Sequence, residues 1–308
     1  MMTTPYRLSV IVTAHNCAGW LEETLNSVIA SLAEAGPRCE IVIINDASTD
    51  DSQRIIARFA GQYPHVRHQQ TQLRNIGKVR NHAVALAQGD YVLMLDGDDR
   101  LLPCAIADHL PILDTQAPDI YLSKIIEQRS DSADRLPEWH FRPPAELTTD
   151  DAITRFLIHR DFQAHFIGQY FRRDLLLANP FPPFICYEDA WLFPQLLAQS
   201  KKTLFSEAGF YLYRKHASSL STVMTPEKIS CLLAATAHMD EVLPAHVKPL
   251  ITCHWIDVIN RHAVVLKQQG EWEKVKKRLR QQKLCAFLLN GKIRMSYKRK
   301  MLKVRRLS

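Results

Sequence analysis

Hydrophobic and polar positions over the first hundred residues fall into blocks that switch between two periods. Leu8-Ser9-Val10-Ile11-Val12 is a short apolar run rich in β-branched residues, which predicts a buried strand. Trp20, Leu21, Leu25, Val28, Ile29 and Leu32 recur at three- and four-residue spacing and predict a helix stopped by Gly36-Pro37. Glu40–Ile44 is a second strand, followed by the polar turn Asn45-Asp46-Ala47-Ser48-Thr49-Asp50, which is rich in helix-capping side chains. Ile55, Ile56, Phe59, Ala60 and Tyr63 mark a second helix. Val79, Ala83, Leu86 and Ala87 mark a third, closed by Gly89. Tyr91–Leu95 is another buried strand and runs straight into Asp96-Gly97-Asp98-Asp99. Strands alternating with helices imply parallel pairing through right-handed crossovers, hence an α/β, doubly wound, mostly parallel sheet flanked by helices. Ligands bind such sheets outside the carboxyl ends of the strands. The clusters Thr13/His15/Asn16, Asn45/Asp46 and Asp96/Asp98/Asp99 are therefore expected to converge.

Past residue 100 the pattern loosens. A Pro-containing loop at 137–150 leads to a helix near 150–159, and residues 165–171 and 203–214 read as short strands. Pro180-Phe181-Pro182-Pro183 is a stiff turn, and from Thr225-Pro226-Glu227 onward the chain reads as helical to its end. The expected division is a domain over 1–222 and a helical extension over 223–308.

Composition narrows the class. Of 308 residues, 46% are hydrophobic and 23% charged, which excludes global disorder and fibrous or disulfide-scaffold chains. The longest apolar run falls well short of the roughly 20 residues that cross a bilayer, and Leu8–Val12 is too short for a signal-peptide core, so a cytoplasmic chain is expected. Seven widely spaced cysteines without a C-x-x-C argue for reduced thiols rather than a disulfide or zinc framework. The net charge of +7 is unevenly placed: residues 271–308 hold 14 Lys/Arg against Glu271 and Glu273, while the other 270 residues hold 25 against 30 acids. Basic residues interleaved there with Val275, Leu279, Phe287, Leu289, Ile293, Met295 and Leu302 suit an anionic membrane surface better than nucleic acid, for which no fold motif is present.

Three carboxylates in four positions at a strand mouth repel one another, and a hard divalent ion, Mg²⁺ or Mn²⁺, relieves that repulsion while completing its shell with water and phosphates. Gly97 gives the turn freedom to aim carboxylates inward. Asp46 can accept from a uracil imide or a ribose hydroxyl, or it can cap the following helix. A dinucleotide-dependent dehydrogenase is excluded, because no G-x-G-x-x-G follows the first strand.

Ser9–Asn16, Ile44–Asp50 and Leu95–Asp99, in this order and spacing, resemble the three signatures of the family 2 glycosyltransferases over about residues 7–220. The resemblance implies a GT-A fold with a nucleotide-binding half at 1–100 and an acceptor half at 101–222. It implies an inverting transferase that moves a sugar from a nucleotide-diphosphate donor, UDP-linked, to a hydroxyl of a lipopolysaccharide, O-antigen or capsule glycan. The family usually has Pro and Tyr where Thr13 and His15 stand. By the same resemblance, Thr13, His15, Asn16, Asp46, Asp96, Gly97 and Asp98 contact the donor, as do Lys78 and Arg80 in a shortened version of the family's Asn…Gly…Ala-Arg-Asn run. Asp98, Asp99 and His216 hold the metal, His216 also facing the diphosphate. Tyr187-Glu188-Asp189 resembles the family's Glu-Asp motif, which makes Asp189 the general base and Glu188 its support. Two rivals remain open: a nucleotidyltransferase, disfavoured because Thr13–Gly19 carries no Lys or Arg, and a non-catalytic nucleotide-binding scaffold. The expected location is the inner face of the cell membrane, touched through 271–308.

Overall fold

A computed structural model of the chain describes residues 6–129, 136–215 and 224–306. They divide into two compact units: one drawn from Met1–Thr149, His165–Pro183 and Ser200–Thr222, the other from Asp150–Ala164, Phe184–Gln199 and Val223–Ser308.

The first unit is built on a single sheet. Strands β1 (Tyr6–Ala14), β2 (Cys39–Asp46), β3 (Val66–Thr71) and β4 (Gly89–Asp96) form a parallel block in the order β3-β2-β1-β4. Beyond β4 the sheet becomes mixed, continuing through β8 (Tyr170–Arg172), β6 (Ile120–Arg129), β9 (Thr203–Lys215) and β5 (Arg100–Leu101), with β7 (Ala145–Leu147) paired to β9. Side chains alternate between the faces. Leu8, Val10, Val12, Ile41, Ile43, Leu93 and Leu95 form one core with the apolar stripes of α1 (Ala18–Leu32), α2 (Ser52–Ala60) and α4 (Ala105–Gln116). Helices α3 (Ile76–Leu86) and α6 (Arg173–Ala178) pack on β2, β1 and β4. This is the expected doubly wound arrangement.

Three local expectations need correction. Of the strand expected over 165–171, only its end forms, as Tyr170–Arg172. Strand β3 has no apolar run: in Val66-Arg67-His68-Gln69-Gln70-Thr71 only Val66 is buried, because β3 is an edge strand and its polar side chains face water. Gly89 does not close α3 but opens β4, where an added Cβ would come 2.6 Å from the Leu8 carbonyl carbon and the Ser9 nitrogen.

The second unit is helical: α5 (Thr149–Leu157), α7 (Glu188–Gln199), α8 (Pro226–Val242), α9 (Lys248–Arg261), α10 (Ala263–Gln268), α11 (Trp272–Gln281), α12 (Leu284–Leu289) and α13 (Met295–Arg306). The basic segment is part of this unit. Val275, Leu279, Phe287, Ile293, Met301 and Val304 are all buried, so most of the apolar residues expected to face a membrane instead build the core. Leu289, Met295 and Leu302 remain exposed. No helix among the described residues is long and apolar enough to cross a membrane.

Candidate active site

Parallel register brings the strand mouths together. Thr13 on β1 pairs with Asp96 on β4 and with Ile44 on β2, and Ala14 pairs with Asn45, so Thr13, Asp46 and Asp96 end three adjacent strands side by side. Thr13 Oγ1 donates to Asp96 Oδ1 at 2.9 Å. The Gly97 amide donates to the Thr13 carbonyl at 2.9 Å, and the Gly97 carbonyl accepts from Thr24 Oγ1 at 3.0 Å. A Cβ on Gly97 would meet Cys17 Sγ at 2.7 Å and Thr13 O at 3.0 Å. Among the described residues only Gly168 and Gly270 are glycines with positive φ. Gly97 therefore serves close packing, not the conformational freedom expected of it.

The loop after β1 is tied to the loop after β2. His15 Nδ1 lies 2.6 Å from the Asp46 carbonyl, which makes Nδ1 the donor and leaves Nε2 an acceptor. Asn16, at φ 48°, accepts the Thr49 amide on Oδ1 at 2.8 Å and donates its own amide to Ser48 Oγ at 3.0 Å. Both His15 and Asn16 are exposed.

The three carboxylates after β4 have different surroundings. Asp99 is 1% exposed and both its oxygens are taken: Tyr211 Oη donates to Oδ2 at 2.5 Å and the Arg214 amide to Oδ1 at 2.7 Å. Burial, then the charge of Asp96, pushes its carboxyl up to about 8. Burial and Asp99 hold the Tyr211 phenol well above its ordinary value, so its hydroxyl remains a donor. Tyr211 is seated by Gly168 (φ +66°), where a Cβ would come 2.6 Å from the tyrosine's own. Asp96 faces Thr13 and the Arg80 guanidinium, 3.9 Å away. Asp98 is half-buried. The Arg214 side chain goes to Glu23 at 2.6 Å and that of Lys215 to Glu127 at 2.6 Å, so these two cations at the end of β9 are engaged by acids. His216 lies outside the described residues. Sequence reasoning did not single out Tyr211 or Glu23: one is a strand aromatic and the other an acid on a helix, and neither type is diagnostic alone.

Asp46 is 7% exposed and holds a loop. Its Oδ1 accepts from Thr71 Oγ1 at 2.8 Å and the Leu73 amide at 2.6 Å, and its Oδ2 accepts from the Arg74 amide at 2.8 Å. That loop delivers the start of α3, where Asn75 Oδ1 caps the Lys78 amide at 3.0 Å. Lys78 is exposed, whereas Arg80 is 4% exposed with its guanidinium over the Phe181 ring at 5.5 Å. Asn81 clamps Phe181 by reciprocal bonds of 2.9 and 2.8 Å, and Gly77 leaves room for the Pro182 carbonyl, 2.6 Å from a hypothetical Cβ. The Pro180–Pro183 turn thus fixes the first turns of α3, a link that no local pattern reveals.

In the helical unit, Glu188 and Asp189 open α7; Glu188 is 7% exposed and Asp189 half-buried. Tyr187 precedes them at φ 64°, and its carbonyl accepts the Trp191 amide at 3.0 Å. Trp191 stacks on His238 of α8 at 3.8 Å and 2°, and His238 Nε2 lies 2.7 Å from Gln195 Oε1, so one imidazole grips α7 at two places.

No group of three or more His, Cys, Asp or Glu among the described residues forms a ready metal cage. The donor chemistry fits a different kind of site. Asp99 is committed to Tyr211 and Arg214, Asp96 to Thr13 and Arg80, and the half-buried Asp98 sits beside both. A hard divalent ion that takes one or two carboxylates and draws its remaining ligands from water and phosphate suits this set.

The family model for glycosyl transferase family 2 matches residues 9–176. The chain is 27% identical over 232 residues to the uncharacterized glycosyltransferase YibD of Escherichia coli K12, covering 72% of this chain and 65% of that protein. It is 25% identical over 280 residues to the poly(ribitol-phosphate) β-N-acetylglucosaminyltransferase TarS of Staphylococcus aureus, covering 88% of this chain and 46% of that one. The chain thus spans less than two thirds of the length of these curated relatives. The crystal structure of TarS 1–349 with UDP-GlcNAc matches 97% of this chain and 89% of its own at a TM-score of 0.70 and 20% identity. The mannosyltransferase PcManGT of Pyrobaculum calidifontis, solved with GDP-Man and Mn²⁺, matches 97% of this chain and 84% of its own at 0.58 and 16%. The shared architecture is the GT-A fold.

Proposed function

Because the chain belongs to the family 2 glycosyltransferases, we propose that it is an inverting enzyme that moves a sugar from a UDP-linked donor to a hydroxyl of a cell-surface glycan of lipopolysaccharide, O-antigen or capsule type. The observation that carries this reading is the meeting of Thr13, Asp46 and Asp96 at the ends of three adjacent parallel strands, with Arg80 beside Asp96. Binding of UDP-GlcNAc and UDP by TarS supports the choice of nucleotide.

In this reading the donor lies across the mouths of β1, β2 and β4. His15 and Asn16 line its nucleotide end, and the Asp46-held loop sets the position of α3. Arg80 and Lys78 face the diphosphate. Asp98 would hold a divalent ion, Mg²⁺ or Mn²⁺, which when bound would neutralise charge growing on the leaving diphosphate. Asp99 is a positioning residue that ties this turn to Tyr211. Asp189 accepts the proton of the acceptor hydroxyl as its oxygen attacks the anomeric carbon from the side opposite the diphosphate, so configuration inverts. Glu188 supports that turn of α7. We also place the enzyme at the inner, anionic face of the membrane, touched through the basic segment 271–308.

The test is UDP release from a panel of UDP-sugars on adding glycan acceptor. Asp189→Asn is expected to lower turnover at least about a hundredfold, the typical contribution of a general base, with UDP affinity retained. Full turnover in Asp189→Asn would remove Asp189 from the mechanism.

A further inference from the structure

The helical unit contains a cavity of about 70 Å³ away from α7, lined on its polar side by His159, His254, Asp257, Lys292, Arg294 and Tyr297. Asp257 is already neutralised: it accepts Tyr297 Oη at 2.5 Å and Lys300 Nζ at 3.0 Å, with Arg261 4.0 Å away. Lys292 Nζ is 3.3 Å from the neutral Thr154 Oγ1, and Arg294 is exposed. The cavity therefore carries surplus positive charge. His159 is held beside it at φ 51°, an uncommon conformation for a residue with a side chain, with its ring 5.2 Å from that of His254.

The rim is unlike ordinary surface. Leu289 is 84% exposed and Met295 62%, and they bracket Lys292 and Arg294 in one short loop. The loop is ordered: Asn290 Oδ1 accepts the Lys292 amide at 2.9 Å, the Asn290 carbonyl accepts the Ile293 amide at 3.3 Å, and the Ile293 side chain is buried. Met295, Arg299 and Leu302 continue this surface along one face of α13, and no acid occurs after Glu273.

We propose that this cavity and its apolar rim dock the phosphate head groups of an anionic lipid surface, with Lys292, Arg294 and His159 taking a phosphate while Leu289 and Met295 enter the interfacial layer. A cavity evolved for a free phosphate ion would have no use for two large apolar side chains standing in water at its mouth, whereas a lipid surface satisfies both features at once. The site deepens the membrane contact proposed above and is independent of the sugar-transfer chemistry.

The test is co-sedimentation of the full chain with phosphatidylcholine vesicles, with and without phosphatidylglycerol. The wild type is expected to bind only the anionic vesicles. Lys292→Glu/Arg294→Glu is expected to weaken that binding by at least about tenfold, and the charge-matched pair Lys277→Glu/Arg280→Glu on α11 by much less. Leu289→Ser/Met295→Ser is expected to lose vesicle binding while inorganic phosphate still raises its melting temperature. UDP binding and urea midpoints, measured on every variant, verify that each is folded. Equal losses for the two charge-reversal pairs would overturn the site and leave a diffuse membrane contact standing. Vesicle binding unchanged in Leu289→Ser/Met295→Ser, and displaced by inorganic phosphate, would overturn the lipid assignment in favour of a soluble phosphate. No preference of the wild type for anionic vesicles would overturn both the site and the membrane contact.

Discussion

Asp46→Asn separates a carboxylate that touches substrate from one that shapes the site. The native side chain accepts three bonds, from Thr71 Oγ1 and the Leu73 amide on one oxygen and from the Arg74 amide on the other. An asparagine has one acceptor atom and one NH₂ group, so either orientation turns a donor toward a backbone N–H. The milder orientation keeps its oxygen on Thr71 and Leu73 and sets its NH₂ against the Arg74 amide. It loses one charge-assisted bond, about 1.5–3 kcal/mol, and weakens the other two. Because Asp46 is 7% exposed, water cannot readily replace the lost partner. The expected outcome is a fall of about 2–3 kcal/mol in unfolding free energy, read from urea denaturation. A smaller donor affinity, read by calorimetry with UDP, should accompany it, because the 71–75 loop carries the start of α3. If stability stays within about 0.5 kcal/mol while UDP affinity falls more than tenfold, the scaffold argument is refuted and Asp46 contacts the nucleotide directly.

Three further outcomes follow from the same structure. His109 is buried among Tyr121, Trp139, Tyr170 and Phe210, and burial lowers it to about 3, so the native state stays neutral while the unfolded chain titrates near the ordinary ~6.5. Its contribution is therefore complete above pH ~6.5 and declines as the pH falls, by about 2 kcal/mol at pH ~5; His109→Leu should flatten urea midpoints between those values, and an unchanged slope would contradict this. Gly97→Ala should cost about 1–3 kcal/mol, because its Cβ would lie 2.7 Å from Cys17 Sγ, and a melting temperature equal to the wild type's would show that the turn yields freely. Dialysis against EDTA should abolish the stabilisation of the protein by UDP-sugar and Mn²⁺ should restore it, whereas a metal-independent thermal shift would remove the ion from donor binding.

What could be read from the sequence divides along physical lines. Strands β1, β2 and β4 were legible because both their faces are buried, which forces continuous apolar runs, and parallel register then carried Thr13, Asp46 and Asp96 to one edge. Edge strand β3 was not, because its exposed polar residues carry no hydrophobic signal. Partners were hidden too: the amides that satisfy Asp46 lie 27 and 28 residues away, and the Tyr211 hydroxyl lies 112 residues from Asp99. The basic segment was ambiguous because amphipathic spacing is the same whether the apolar stripe meets lipid or protein: Val275, Leu279, Phe287 and Met301 meet protein, whereas Leu289, Met295 and Leu302 stay exposed.

The Asp96-Gly97-Asp98-Asp99 turn makes the same point about chemistry. Three identical carboxyl groups within four positions are given different work by their neighbours. Asp99 is driven inward, raised by burial and by Asp96, and tied to Tyr211 and the Arg214 amide, so it fixes the turn's shape. Asp96 is spanned by Thr13 and the buried Arg80, which joins β1, β4 and α3 at one point. Asp98 keeps the half-exposed place between them. Arg80 and the exposed Lys78, which face the diphosphate in the proposed reading, at most balance Asp96 and Asp98, and Arg214 and Lys215 are held by Glu23 and Glu127, so the charge of a diphosphate brought to this turn is left unmatched. In a site of low effective dielectric that imbalance is worth several kcal/mol, at about 4 kcal/mol for one unit pair 4 Å apart and an effective dielectric of about 20. The protein's own cations do not cancel it. That electrostatic deficit, more than the motif, is the physical support for the proposed joint binding of donor and divalent ion at this turn.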